Sequence, residues 1–147
     1  MKKRNDSCPI IRYCCRLVAR IIQVFGIYVI LHGHYSPGGG FQGGALLAVG
    51  VILLRIAEGR DATRREMPPE SVILIGTIGI FIYAAIGLST ILAGGNFLEY
   101  GSLPLPGLDS ADRHYWGILV IEIGVGLAVM ATLVGIFDSL VHKEENA

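Results

Sequence analysis

The sequence predicts an all-α integral membrane protein in which four transmembrane helices leave both termini in the cytoplasm. Hydrophobic residues make up 52% of the 147 residues and charged residues only 16%, a balance that is too apolar for an ordinary soluble domain. Residues 72–94 contain no charged side chain, and residues 116–137 contain only Glu122. Each stretch can cross about 30 Å of hydrocarbon at about 1.5 Å per helical residue. We therefore expect a multi-pass protein of the plasma membrane.

The sequence indicates the first two helices less clearly than the last two. Arg20 falls early in the first one, which is acceptable because an arginine near a helix end can extend its charged head to the interface. In the second, the uncharged run 41–54 gives only about 21 Å of helix. A start at Pro37, with Ser36 as N-cap, supplies the missing length, and Ser71 is expected to cap the third. The helices are predicted at 17–34, 37–57, 72–94 and 116–138.

Basic residues indicate the orientation. If the helices cross alternately, all of the 12 lysines and arginines except Arg113 lie on one side, which the positive-inside bias identifies as the cytoplasm. Residues 1–16 then form a basic cytoplasmic leader, followed by a single membrane domain at 17–147. The three cysteines lie in this leader and are expected to be reduced thiols, not disulfides or metal ligands. The net charge of zero gives no sign of nucleic-acid binding.

Charged residues at the inner helix ends are interpreted as solvated interface charges. Arg55, Glu58 and Arg60 lie at the end of the second helix, where Glu58 is close enough in sequence to pair with Arg55. Asp138, at the end of the fourth helix, is interpreted in the same way. The long outer loop before the fourth helix is rich in proline and glycine, and we expect it on the surface or against a neighbouring subunit.

The stretch GHYSPGGGFQGG, residues 33–44, joins the first two helices. It contains the pattern GxGxxG, but a dinucleotide site needs a strand before its glycines, and here an apolar helix precedes them. We therefore expect no nucleotide cofactor. The pairs Gly39/Gly43 and Gly40/Gly44 have GxxxG spacing, which removes side-chain bulk and lets a helix end lie against another helix. We expect that helix in a partner subunit, with an anion site at the exposed amides as the alternative.

The same stretch resembles the signature of the B-type subunit (MnhB/MrpB) of Mrp-type multisubunit cation/proton antiporters. The related subunit of membrane-bound hydrogenase and sulfur reductase complexes is equally similar. The resemblance implies four transmembrane helices over essentially the whole chain and other membrane subunits as partners, with soluble iron–sulfur subunits added in a hydrogenase-type complex. Neither the cysteine-bearing leader nor Glu122 belongs to the signature. The resemblance implies that the family's hallmark positions in this chain are His34, Pro37, Gly38, Gly39, Gly40, Phe41, Gly43 and Gly44.

Two ionisable residues are candidates for an ion or proton route. Glu122 lies six residues beyond Trp116, about 9 Å into the membrane, where a carboxylate is costly unless it faces protein or water. It either exchanges ions or holds helices together through a hydrogen bond. His34 lies at the outer end of the first helix and either relays protons or shapes the turn.

The predicted function is that of a small subunit of a sodium/proton antiporter or of an antiporter-derived respiratory complex. The subunit packs the membrane module and lines an ion route. We expect no catalysis by the chain itself and neither cofactor nor metal, because it offers no nucleophile constellation and no cysteine-cluster spacing. Two alternatives stay open. One is a free-standing homo-oligomeric ion transporter in which copies of Glu122 line a shared pore, and the other is a purely structural scaffold subunit.

Overall fold

The structure is a computed structural model and describes residues 9–33, 38–59, 67–105, 107 and 109–145. These residues form four α-helices and one 3-10 turn, with no strand among them, so the predicted all-α fold is confirmed. All four helices are long and apolar enough to cross a membrane; their orientation across it stays a prediction. The elements are α1 (Pro9–Leu31), α2 (Gly40–Glu58), α3 (Pro69–Leu92), the 3-10 turn (Tyr100–Ser102) and α4 (Ser110–Glu145).

The first two helices differ from the prediction at their N-terminal ends. α1 already begins at Pro9, so the second half of the predicted leader is helical, and the residues before Pro9 lie outside the described part of the chain. α2 begins at Gly40, three residues after its predicted start, because the backbone at Gly39 is extended (φ 177°, ψ −162°). The predicted cap and first helical residue, Ser36 and Pro37, lie outside the described residues.

The last two helices begin earlier than predicted. α3 starts at Pro69 with Pro68 at the N-cap position, because a proline at the first helical position loses no hydrogen bond that the helix could have made. Ser71, the predicted cap, therefore lies within the first turn. α4 starts at Ser110 and has 36 residues, which gives a length of about 54 Å, well beyond the bilayer thickness.

The helices pack in the order α1, α2, α4, α3, so that α2 and α4 form the centre of the bundle. These two central helices are parallel. Gly40, at the start of α2, lies against Glu122, and Arg55, near the end of α2, contacts Asp138 further along α4. Parallel second and fourth helices are what four alternating crossings require, which agrees with the predicted topology.

Apolar side chains fill the half of this bundle that includes the C-terminal part of α2 and the start of α3. Val134 of α4 and Ala48 of α2 have no exposed surface, and Val72 brings the first turn of α3 into the same cluster. Because lipid is as apolar as these side chains, close van der Waals contact and not exclusion from water holds the helices together. The cluster consists of Ala48, Val51, Val72, Met130, Ala131 and Val134.

The outer connection between α3 and α4 packs back onto these helices. The Phe97 ring fills a notch at Gly87, where a Cβ atom would overlap the ring. The buried hydroxyl of Thr90 donates a hydrogen bond to the Gly87 carbonyl (2.8 Å) and accepts one from the Leu98 N–H (3.0 Å). That second bond fixes Leu98 at φ +63°, a conformation that few non-glycine residues adopt. This part of the loop is therefore supported by contacts within its own chain.

Candidate functional site

Glu122 lies on a bed of glycines at the outer end of α2. A Cβ atom at Gly33 would overlap both carboxylate oxygens, and one at Gly39 would lie 3.1 Å from Oε1. A Cβ atom at Gly40 would overlap the backbone carbonyl of Glu122 itself. At Gly40 the obstruction is backbone, so only glycine fits there, whereas a side chain at Gly33 or Gly39 would displace the Glu122 carboxylate. We call the set of Gly33, Gly39, Gly40 and Glu122 the glycine bed.

The remaining signature glycines face two different helices. A Cβ atom at Gly44 would lie 2.9 Å from the Cα atom of Gly126 on α4, and one at Gly43 would lie 2.7 Å from the carbonyl oxygen of Gly26 on α1. The close helix contact that the GxxxG spacing predicts therefore exists, but its partners are helices of the same chain. The expected partner-subunit helix is wrong for these glycines, because α2 lies between α1 and α4: Gly44, like Gly40, faces α4, and Gly43 faces α1.

The other signature positions are distributed differently. Gly38 lies beside the bed in non-helical backbone. Phe41 is 67% exposed and points away from the bundle. His34 and Pro37 lie outside the described residues, so their predicted roles stay predictions.

The backbone at the edge of the bed is non-helical at Gly38 and Gly39. Glu122 lies about 9 Å along α4 from Trp116, and Gly39 lies against its carboxylate. Non-helical backbone at membrane depth is tolerated only where it is buried in protein or lines a water-filled space. The N-terminal end of α2, which carries the positive end of the helix dipole, also lies beside the carboxylate and favours its negative charge.

A buried ion pair lies at the opposite end of the α2/α4 interface. Arg55 Nη1 contacts Asp138 Oδ2, with side-chain exposures of 0% and 9%. Arg55 Nη2 donates a hydrogen bond to the Met67 carbonyl at 3.3 Å, which ties the segment before α3 to the pair. The interpretation of Arg55 and Asp138 as solvated interface charges is therefore wrong. Their opposite charges were visible in the sequence, but the parallel register that joins them was not.

Glu58 pairs with α1 and not with Arg55. Its Oε1 contacts Arg16 Nε, because Arg55 points into the α2/α4 interface whereas Glu58 faces the neighbouring α1. The Glu58 side chain is 13% exposed and that of Arg16 is 52% exposed. The predicted pair within α2 is thus replaced by a pair between helices. Arg60 lies outside the described residues.

The two carboxylates of α4 are separated by packed apolar side chains. Glu122 and Asp138 are sixteen residues apart, about 24 Å along the helix. Between them, Ala48, Val51 and Val134 are at most 6% exposed, and Gly44 touches Gly126. The α2/α4 interface therefore offers no polar passage from one carboxylate to the other among the described residues.

Two further features carry no ionic chemistry. A cavity of about 330 Å³ between the outer loop, α3 and α4 has an almost wholly apolar wall. Within the described part of the chain, no three His, Cys, Asp or Glu side chains lie close enough together to hold a metal ion. The cavity is lined by Ile86, Leu103, Leu105, Trp116, Gly117 and Val120.

Comparison with known proteins gives the family. Residues 10–135 match the family model described as the domain related to the MnhB subunit of Na+/H+ antiporter. The chain belongs to this family. The match includes Glu122 and the glycine bed and stops before Asp138. The resemblance seen in the sequence is thereby confirmed.

Individual MnhB-family relatives are similar over nearly their full length. The B-type subunit of the Na+/H+ antiporter of Bacillus subtilis (strain 168) is 29% identical over 139 residues, which cover 90% of this chain and 95% of the relative. That of Alkalihalophilus pseudofirmus is 28% identical over 140 residues, 90% of this chain and 96% of the relative. A Staphylococcus aureus (strain MRSA252) protein, a proposed antiporter subunit mnhB2, is 31% identical over 140 residues, 94% of this chain and 96% of the relative.

Proposed function

We propose that this chain is the B-type subunit of a multisubunit Na+/H+ antiporter and lies in the plasma membrane as a four-helix, multi-pass protein with both termini in the cytoplasm. The observation that carries the proposal is the MnhB-family match over residues 10–135, which spans all four helices that are fit to cross a membrane. Its partners are other membrane subunits of the antiporter. Catalysis of exchange belongs to the assembly and not to this subunit alone.

Within the antiporter, the subunit packs the membrane module and lines the outer part of an ion route at the glycine bed. Two features support this role. A carboxylate lies about 9 Å inside the membrane, and the backbone beside it at Gly39 is non-helical at that depth, as at the wall of a water-filled space. Because apolar side chains close the α2/α4 interface below Glu122, an ion at Glu122 continues sideways to another subunit and not along the described part of that interface.

The purely structural alternative has its own support in that same packed interface. If Glu122 does nothing but hold the glycine bed together, the subunit is a scaffold. Substitution of Glu122 separates the two roles, because a scaffold needs the shape of the side chain whereas a route needs its charge. Glu122→Gln keeps the shape and removes the charge.

The experiment measures Na+-driven proton movement in everted vesicles from cells whose only antiporter of this type carries the variant subunit. We expect Glu122→Gln to reduce exchange at least tenfold while the subunit stays in the purified complex. Asp109→Asn, which removes a carboxylate from the exposed outer loop, is the matched control and keeps full exchange. If the Glu122→Gln variant keeps full exchange, the ion-route role is refuted and only the scaffold role remains.

Purification through a tag on this chain tests the subunit role separately. We expect several membrane proteins to co-purify and the isolated chain to move no ions in vesicles. Ion flux by the chain alone would instead favour a free-standing homo-oligomeric transporter. Soluble iron–sulfur partners, which the resemblance to hydrogenase-type complexes adds, stay a prediction that mass spectrometry of the same preparation checks.

A further inference from the structure

Three arginines form a stripe along the N-terminal half of α1. Arg12, Arg16 and Arg20 follow one another at intervals of four residues, a spacing that places them on one side of a helix. We call them the arginine stripe. The distance from the first to the third is eight residues, about 12 Å along the helix axis.

One carboxylate among the described side chains balances this stripe. Glu58 contacts Arg16 directly and lies within electrostatic range of Arg12 and Arg20 as well. Among the described residues, no hydrogen bond or ion pair joins Arg12 or Arg20 to a protein partner. Counted over the described side chains, three positive charges and one negative charge give an excess of two positive charges.

The stripe borders an exposed apolar surface of α1. The flanking side chains of α1 are apolar or aromatic and exposed: Tyr13 is 72% exposed and Ile21 is 60% exposed. Arg20 itself is exposed and lies on α1 close to Ala19, which packs against Gly50 in the middle of α2. A guanidinium at this depth must reach an aqueous or anionic surface, because hydrocarbon solvates it poorly.

The direction of the helix decides which surface the arginines reach. Side chains on an α-helix lean toward its N-terminus, and in α1 the N-terminus is the end where the basic residues begin. All three guanidinium groups therefore lean toward the same face of the bilayer. Lipid phosphates lie at that face, whereas a carboxylate on a partner helix would itself have to be buried in hydrocarbon to meet Arg20.

We propose that the arginine stripe, with its counter-charge at Glu58, is a binding site for the phosphate group of an anionic phospholipid. Arginine suits this ligand because its planar guanidinium binds phosphate through two parallel hydrogen bonds. Arg12 and Arg20 donate hydrogen bonds to phosphate oxygens at that face, and exposed apolar side chains beyond Arg20, such as Ile21, contact the acyl chains. Glu58 holds Arg16 and limits the charge of the site. This inference does not depend on ion transport by Glu122.

The test uses the complex purified through this subunit and returned to vesicles that contain a photoactivatable phosphatidylglycerol. A phosphatidylcholine with the same photoactivatable acyl chain is the second probe. Labelling of this subunit is measured on a gel below saturation and mapped to peptides. We expect the phosphatidylglycerol probe to label α1 and the phosphatidylcholine probe to label it much less.

Substitutions on both sides of the site give opposite expectations. Each arginine near a membrane surface contributes about fivefold to binding of anionic lipid, so Arg12→Gln with Arg20→Gln should reduce phosphatidylglycerol labelling about 25-fold. Glu58→Gln should raise it, because it removes the counter-charge. Arg113→Gln, at the other end of the bundle, is the matched control and should change nothing.

Several outcomes would overturn the proposal. Unchanged phosphatidylglycerol labelling in the double glutamine variant would do so, and so would equal loss with both probes, which would mean that a partner protein covers α1. Displacement of the lipid by millimolar inorganic phosphate would assign the site to free phosphate. If the double variant does not assemble, Glu58→Gln decides: labelling no higher than that of the unsubstituted chain overturns the site.

Discussion

Close packing of α2 on α4 makes a prediction that can be worked out from the structure at Gly44. Substitution by alanine adds one methyl group, whose carbon would lie 2.9 Å from the Cα atom and 3.1 Å from the carbonyl carbon of Gly126. Carbon atoms in comfortable contact are about 3.5 to 4.0 Å apart. Because the obstruction is backbone and not a rotatable side chain, the two helices must move apart to admit the methyl group.

The expected cost follows from two opposing effects. Overpacking of a close contact costs about 1–3 kcal/mol, while replacing glycine with alanine inside a helix gains up to about 1 kcal/mol in helix propensity. Gly135, on the same helix pair, has open space at its Cβ position. Gly135→Ala therefore shares the gain without the cost, and the difference between the two variants isolates the packing cost of about 1–3 kcal/mol.

The measurement is reversible unfolding of the full chain in mixed micelles by titration with a denaturing detergent. The single tryptophan, Trp116 on α4, reports the transition. We expect Gly44→Ala to be less stable than Gly135→Ala by about 1–3 kcal/mol, a factor of roughly 5 to 150 in the folded-to-unfolded ratio. Equal stabilities within about 0.5 kcal/mol would refute direct backbone packing at Gly44.

Three further predictions use the same chain. Arg55→Leu and Asp138→Leu should each lower the free energy of unfolding by about 3–5 kcal/mol, because either one leaves a single buried charge. The double leucine variant should recover most of that loss. Equal losses in all three variants in the same titration would argue against a buried pair. Thr90→Val should cost about 1–3 kcal/mol by removing a buried acceptor and should speed protease cleavage of the outer loop, and unchanged cleavage would count against its role as an anchor. Gly87→Ala should expel the Phe97 ring and raise cleavage in the same assay, a result that an undisturbed loop would contradict.

The sequence by itself determined the class of this protein and the existence of its four helices. Uncharged runs long enough to cross a bilayer can be identified from the sequence alone, since each membrane helix satisfies its own backbone hydrogen bonds. The stretch at residues 33–44 likewise carried the family resemblance, because a run of glycines with fixed spacing can be recognised without any partner. Glu122 stood out for the same reason, as a single charge in an otherwise apolar helix.

The helix ends were less predictable. Each of the four helices begins at a residue other than the one expected, and the two prolines before α3 show why. Pro68 and Pro69 fit the end of a preceding segment, since a proline interrupts a helix, but Pro69 is also a good first residue for a helix. A local pattern that fits both the end of one element and the start of the next does not choose between them.

Only the tertiary structure decided which residues meet. The parallel register of α2 and α4 brings Gly40 to Glu122 and Arg55 to Asp138, residues far apart in the sequence, and no local pattern encodes that register. Because of this register, Arg55 and Asp138, which were interpreted as solvated interface charges, form a buried ion pair. The register also turned the glycines toward helices of their own chain. The spacing of glycines on one helix shows that another helix can lie close, but the helix that does so is decided by the arrangement of the bundle.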